Sequence, residues 1–277
     1  MFKYRIIGFA LLMALLCGIF FWRPYGVYLF WAAAPLMAAM AVYECAEMFN
    51  NAGRKNFPVL TAAVFYIIAM AGLLSNPFNL SGYIALIPLV LLSLSGGAVM
   101  LLKNPTVTEK YLNSCGILFF LAPAMLGFLA SFESGAGNAP AGAWLLFLCL
   151  ATKATDTGGY IVGTLTSKLP GGNHKIAPSL SPKKSWEGLI GGMCLSLAIG
   201  WAFARFANHA PLWWYLGTSA VLSLGSFFGD LAESAVKRMC DVKDSGHWVP
   251  GMGGAFDVLD SFIFNGIIFH VAQLFLN

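Results

Sequence analysis

The sequence predicts an all-α, polytopic integral membrane protein of about nine transmembrane helices with a cytoplasmic N-terminus. Three observations carry this expectation: an extreme composition, a succession of apolar runs of bilayer-crossing length, and basic residues gathered on one side. Hydrophobic residues make up 58% of the 277 and charged residues only 10%. A soluble domain carries about 25% charged residues. A chain this poor in charge cannot cover a water-facing surface, so lipid is its expected solvent. The net charge of +4 is small, and no nucleic-acid partner is expected from it.

A helix needs about 20 apolar residues to cross a hydrocarbon core of ~30 Å. By that rule the candidate spans are 5–22, 25–49, 57–75, 80–102, 114–132, 141–163, 186–207, 211–230 and 258–276. The first resembles a signal peptide, because Lys3 and Arg5 precede it. Phe20, Phe21, Trp22 and Arg23 follow instead of small residues suited to cleavage, so it reads as an uncleaved span. The eighth has no turn residue at its inner limit, where Asp230 and Glu233 follow directly. With the N-terminus inside, cytoplasmic segments hold Lys3, Arg5, Arg54, Lys55, Lys103, Lys110, Lys168, Lys175, Lys183, Lys184, Lys237, Arg238 and Lys243, thirteen of the 16 basic residues. That bias is what the positive-inside rule requires, and it places the chain in a cell inner (cytoplasmic) membrane.

The cysteines suggest neither a disulfide frame nor a zinc site. Cys17, Cys45, Cys115, Cys149 and Cys194 lie in or beside apolar runs, and no Cys-x-x-Cys pair occurs. The organisation reads as one membrane-embedded unit with N-terminal helices over 1–140 and a chemically richer part over 141–277. Only Glu44, Glu47, Glu109 and Glu133 are acidic before residue 150; the other eight acids follow it. The two longest loops, about 164–185 and 231–257, both fall on the cytoplasmic side, and long polar loops commonly carry function.

Asp156-Thr157-Gly158-Gly159-Tyr160 lies within the sixth apolar run. An ionisable residue at membrane depth costs at least ~2.5–3.5 kcal/mol on insertion scales, so a functional site is the default reading. The plain alternative is a pair with Lys153, one helical turn earlier. Next comes Ser181-Pro182-Lys183-Lys184-Ser185-Trp186-Glu187-Gly188. Serine before proline reads as an N-cap and first helical position, so a helix is expected to start at Ser181 with an anion site at its N-terminus. The plain alternative there is a basic flank of the positive-inside kind.

The densest segment is Gly229-Asp230-Leu231-Ala232-Glu233-Ser234-Ala235-Val236-Lys237-Arg238, followed by Lys243 and Asp244. Residues 230, 233 and 237 share one helical face. Pro250-Gly251-Met252-Gly253-Gly254-Ala255-Phe256-Asp257-Val258-Leu259-Asp260 then opens the last span with a second i, i+3 pair of acids, Asp257 and Asp260. Carboxylates at two helix ends suit Mg²⁺, which takes oxygen ligands together with substrate phosphates. Lysines and an arginine nearby would neutralise phosphate charge, as in-line displacement at phosphorus requires. A solvated charge cluster is the plain alternative, and it leaves the glycines unexplained. His174, His209, His247 and His270 have no ligand spacing to one another, and no metal role is expected for them. A stripe of small residues, Gly188, Gly192, Ser196, Gly200 and Ala204, permits close helix approach. Packing within the chain is expected from it ahead of a homodimer seam.

These residues resemble the phosphatidate cytidylyltransferases, or CDP-diacylglycerol synthases. The family signature runs Ser-x-apolar-Lys-Arg, four residues, Lys-Asp, a Pro-Gly-His-Gly-Gly stretch and Asp-Arg-apolar-Asp. It is matched at Ser234, Val236, Lys237, Arg238, Lys243, Asp244, Gly246, Pro250, Gly251, Gly253, Gly254, Asp257 and Asp260. The two upstream segments and Gly229–Ser234 resemble that family as well. Met252 and Val258 depart from it, standing where histidine and arginine are usual, and Thr164 stands where an arginine is common. The resemblance implies transfer of a cytidylyl group from CTP to phosphatidic acid in the lipid bilayer, with Mg²⁺. It implies reacting-centre roles for Asp230, Asp257, Asp260, Lys237 and Asp156, with Mg²⁺ ligands at Asp230, Asp257 and Asp260 and a second cation allowed. Ser181, Lys183, Lys184, Ser234, Arg238, Lys243, Asp244, Gly253 and Gly254 would hold substrate. A CTP-dependent polyprenol-type lipid kinase, a transporter and a catalytically silent relative are the alternatives; charges clustered at one face, not the midplane, speak against a transporter.

Overall fold

The computed structural model describes residues 2–22, 25–75, 104–133, 139–140, 142–251 and 253–276. The expected span at 80–102 and Met252 lie outside the described residues. The described chain is mostly helical: α1 Phe2–Phe21, α2 Gly26–Asn51, α3 Pro58–Ser75, α4 Pro105–Glu133, α5 Ala143–Thr166, α6 Trp186–Phe206, α7 Leu212–Met239, α8 Ala255–Leu259 and α9 Phe262–Gln273, closed by a 3-10 turn, Leu274–Leu276. Among the described residues three helices are long and apolar enough to cross a membrane: Gly26–Asn51, Pro105–Phe132 and Trp186–Phe206. Pro58–Ala71 and Phe262–Leu276 are shorter apolar helices.

Three local expectations need correction. The chain is not wholly helical, because β1 Lys175–Ala177 and β2 Ser181–Ser185 form an antiparallel pair ahead of α6. Ser181 pairs with Ala177 across that ladder and so does not cap a helix. The cap is Ser185, in extended conformation, whose Oγ accepts the Gly188 amide at 3.2 Å. The second correction is at the eighth span. Its helix, α7, runs on to Met239, so the loop expected over 231–257 begins at residue 240. The extra turns hold because Lys237 pairs with Glu233 at i, i+4, and because Lys237 and Arg238 meet the negative end of the helix dipole. The third lies in the last span, where α8 ends at Leu259 and α9 begins at Phe262. Asp257 and Asp260 therefore do not share one continuous helix.

The chain divides into two compact units, Met1–Leu129 with Met239–Leu259, and Ala130–Arg238 with Asp260–Asn277. In the first unit α2 and α3 pack together, and Phe30, Val42, Phe65, Leu121 and Met125 are buried. The turn between them is tied by side-chain amides. Asn56 donates to the Ala46 carbonyl at 2.7 Å, and Asn113 to the Lys55 carbonyl at 2.8 Å. The short α8 rests on α2.

In the second unit the small-residue stripe does what close packing requires. Gly188, Gly192, Ser196 and Gly200 are the buried positions of α6. A Cβ at Gly192 would come within 2.6 Å of the Thr155 carbonyl oxygen, and one at Gly158 within 2.6 Å of that of Gly191. So α5 and α6 meet backbone against backbone, within the chain. Ser196 and Gly200 continue the seam toward α7, where Ser196 Oγ donates to the Ser219 carbonyl at 3.1 Å. At the start of α5 and α7, Trp144, Phe147, Trp214 and Tyr215 form an aromatic cluster with Phe203 and Phe269. Edge-to-face geometry at Trp144 and Trp214, with centroids 5.0 Å apart, suits their quadrupoles. This rigid end leaves the opposite ends of α5 and α7, with the β-hairpin, to build the site.

Candidate active site

The second unit has a cavity of about 440 Å³ between the end of α5, the hairpin, the start of α6 and the inner part of α7. Asp156, Ser181, Lys183, Lys184 and Asp230, all singled out from the sequence, line it together. Thr155, Tyr160, Thr164, Lys175, Leu189 and Phe227 are also in the wall. The Lys184 ammonium lies 3.2 Å from Asp230 Oδ2, donates to the Phe227 carbonyl at 2.8 Å and sits over the Phe227 ring. Lys183 and Lys175 are exposed. The cavity therefore combines a fixed, half-buried ammonium with two solvated ones, a basic surface suited to phosphates.

Behind the cavity, Ser261 gathers the carboxylates. This serine is fully buried, in the break between α8 and α9. Its Oγ lies 2.9 Å from Asp156 Oδ2, 3.2 Å from Asp230 Oδ1 and 2.8 Å from Asp260 Oδ1. Lys153 donates to Ser261 Oγ and to Asp156 Oδ2, each at 3.1 Å, and stands 3.8 Å from Asp260 Oδ1. Ser226, on the buried face of α7, donates to Asp156 Oδ1 at 2.7 Å. Gly229 makes the arrangement feasible, since a Cβ there would fall within 2.6 Å of the Asp260 carbonyl oxygen. Asp156 thus pairs with Lys153, as the plain reading of the sequence had it, and shares Ser261 with Asp230 and Asp260.

Crowding several part-buried charges together is tolerable only when each is paired and hydrogen-bonded. Lys153 and Lys184 supply the counter-charge, and the serines supply hydroxyl partners. One hydroxyl proton cannot serve three carboxylates at once, so the group keeps unused acceptor capacity. Among the described residues no three His, Cys, Asp or Glu side chains enclose a metal position on their own. The donor chemistry nevertheless fits Mg²⁺, which is commonly held by one or two carboxylates with phosphate oxygens and water filling the rest.

The other expected residues are not in the cavity wall. Lys237 is paired with buried Glu233 on α7, and Ser234 and Arg238 share that helix. The anion site expected at the helix N-terminus is largely spent on the protein itself: the Trp186 amide bonds the His174 carbonyl and the Gly188 amide bonds Ser185. The first unit holds Lys243, Asp244, Gly253, Gly254 and Asp257. Lys243 and Asp244 are exposed. Gly253 has φ +101, a conformation few other residues adopt. Asp257 Oδ2 accepts the amides of Ser245 at 2.9 Å and Gly254 at 2.7 Å, and the Ser245 hydroxyl at 2.9 Å. Sequence reasoning missed Ser226 and Ser261. Ser261 had a usable signal, a hydroxyl directly after the signature's closing acid.

A family model for the cytidylyltransferase family matches residues 3–276. The phosphatidate cytidylyltransferase of Staphylococcus epidermidis strain RP62A is 34% identical over 234 residues, covering 83% of this chain and 84% of the relative. Those of Staphylococcus aureus strain COL and Staphylococcus saprophyticus are each 33% identical, with the same coverage. The match spans nearly the whole chain and includes both the helices that build the cavity and the segment that carries the acids, and the chain belongs to the cytidylyltransferase family.

Proposed function

We propose that this protein transfers the cytidylyl group of CTP to phosphatidate, giving CDP-diacylglycerol and pyrophosphate. The observation that carries the reading is the cavity itself, where Lys184 and Asp230 face each other beside Asp156 and two more lysines. In the reaction a phosphate oxygen of the lipid attacks the α-phosphorus of CTP. The new O–P bond forms as the bond to the β-phosphate breaks, and pyrophosphate leaves. The nucleophile is already anionic, so no strong general base is required, and the methionine at 252, where histidine is usual, does not remove an essential one. Lys184, Lys183 and Lys175 hold phosphate groups and spread their charge. Asp230 and Asp260, together with phosphate oxygens and water, would hold Mg²⁺, which supplies charge neutralisation at phosphorus when bound. Asp257, with one oxygen already taking three donors, holds its own glycine-rich segment in shape. Purified protein given CTP, Mg²⁺ and phosphatidate should release pyrophosphate and form CDP-diacylglycerol. Release of CDP with a phosphorylated lipid would instead indicate a lipid kinase, and turnover of neither kind would overturn the assignment.

The proposal includes nine spans with the N-terminus inside, so that the hairpin and the segment after α7 meet the cytoplasm, where CTP arrives. Its support is the asymmetry of basic residues. The exposed Ser179 and His247 offer sites for labelling. Cysteine at either position, in a background lacking the native cysteines, is expected to resist an impermeant thiol reagent in intact cells and to react after lysis. Ready labelling from outside would overturn both the orientation and the location of the site.

A further inference from the structure

Glu44 lies within α2, among alanines, Val42 and Cys45, and is 1% exposed. Carboxylates are seldom buried in such surroundings without a task. Its Oε2 accepts the Phe256 amide at 2.9 Å and lies 3.1 Å from Ser245 Oγ. The same Ser245 hydroxyl bonds Asp257 Oδ2. Two carboxylates from distant parts of the sequence thus clamp the segment from Ser245 to Asp257, all within the first unit.

The glycines of that segment record the contact. A Cβ at Gly246 would meet three atoms, all of Glu44: Oε1, Cδ at 2.8 Å and Cγ at 3.2 Å. At Gly254 a Cβ would meet Glu44 Oε2 and Ser245 Oγ. Neither glycine has a positive φ, so other residues could adopt these backbone conformations. Space, not conformation, requires glycine at both. At Gly253 both apply: its φ is positive, and a Cβ there would meet the Asp257 carboxylate.

We infer that Glu44 is a positioning residue for the glycine-rich segment, and that Gly246 is glycine because the Glu44 carboxylate occupies the place of its side chain. The inference rests on the proposed cytidylyl transfer, for which the family resemblance implies that Gly253 and Gly254 hold substrate. Glu44 touches no reacting atom in that reading; it acts by fixing the shape of the segment that does.

The test uses full-length protein in detergent with Glu44→Ala, Glu44→Gln, Gly246→Ala and the double variant Glu44→Ala/Gly246→Ala. Glu44→Ala and Gly246→Ala are each expected to lower kcat/KM for CTP by ~30-fold, mostly through KM, because small misplacements of a positioned group are costly. Glu44→Gln keeps an acceptor for the Phe256 amide and should stay within ~3-fold of the parent protein. In the double variant the added methyl finds room, so its loss should be no greater than that of Glu44→Ala alone. Losses that multiply in the double variant, or Gln no better than Ala, would overturn the inference. Limited proteolysis between residues 240 and 254 gives a readout that needs no substrate: both single alanine variants should be cut faster, the double no faster than Glu44→Ala. If the parent protein fails to turn over phosphatidate while this pattern holds, the catalytic reading fails and the positioning contact stands.

Discussion

Asp230→Asn is expected to lower CTP-dependent turnover by ~10²-fold or more, about 2.7 kcal/mol of transition-state stabilisation. The substitution keeps size and polarity and removes one charge from a group in which Asp230 faces both Lys184 and Ser261. Asp260→Asn should behave alike, because its carboxylate shares Ser261 with that of Asp230. Residues acting on one bound cation act as a unit, so the double variant should be little worse than either single one. Steady-state pyrophosphate release across a series of Mg²⁺ concentrations tests this. Near-normal activity of Asp230→Asn at saturating Mg²⁺ would remove Asp230 from the site. Multiplied losses would show that the two acids act separately.

Lys184→Met is expected to reduce kcat/KM for CTP by ~10²-fold, since it removes a phosphate ligand and strands the Asp230 carboxylate without its nearest cation. Lys184→Arg should recover only part of the loss, because a planar fork does not reproduce a point charge placed between a carboxylate, a carbonyl and an aromatic ring. Lys183→Met provides the contrast. That ammonium is exposed, so its loss should stay within ~10-fold, fall on KM and shrink as salt is added. Equal losses at the two positions would show that the buried pairing of Lys184 has no special part in the site.

The fold was legible where one physical signal acted alone. Long apolar runs have few stable states besides helix in lipid, so α2, α3, α5 and α6 begin and end within a few residues of their expected limits. The stripe on α6 was legible for the same reason, as only close approach uses small residues four apart. Reading failed where two signals competed. Ser181-Pro182 and Ser185 both look like helix starts, and strand pairing with residues 175–177 decides between them. Charge after Gly229 looks like the end of a span, yet the pairing of Glu233 with Lys237 lets the helix continue. In the cavity wall, Asp156, Lys183, Lys184 and Asp230 were legible because acids and lysines are conspicuous in so apolar a chain, and Ser181 only through the proline that follows it. Ser226 and Ser261 were not, because a serine gives no comparable contrast. Glu44 could have been found: the rule that marks Asp156 as an ionisable group in an apolar run applies to it equally.

The seam between α5 and α6 bears on how such a catalyst could be altered. Where peptide backbones touch directly, no rotamer can shift and no atom can be trimmed, since glycine is already the smallest residue. The spacing of those two helices is therefore a fixed dimension, closed to adjustment by substitution at Gly158 or Gly192. Widening the cavity for a bulkier substrate has to be done at walls that still carry removable atoms, namely Tyr160, Leu189 and Phe227. A library aimed at those three positions explores substrate scope, whereas one aimed at the seam explores only loss of fold.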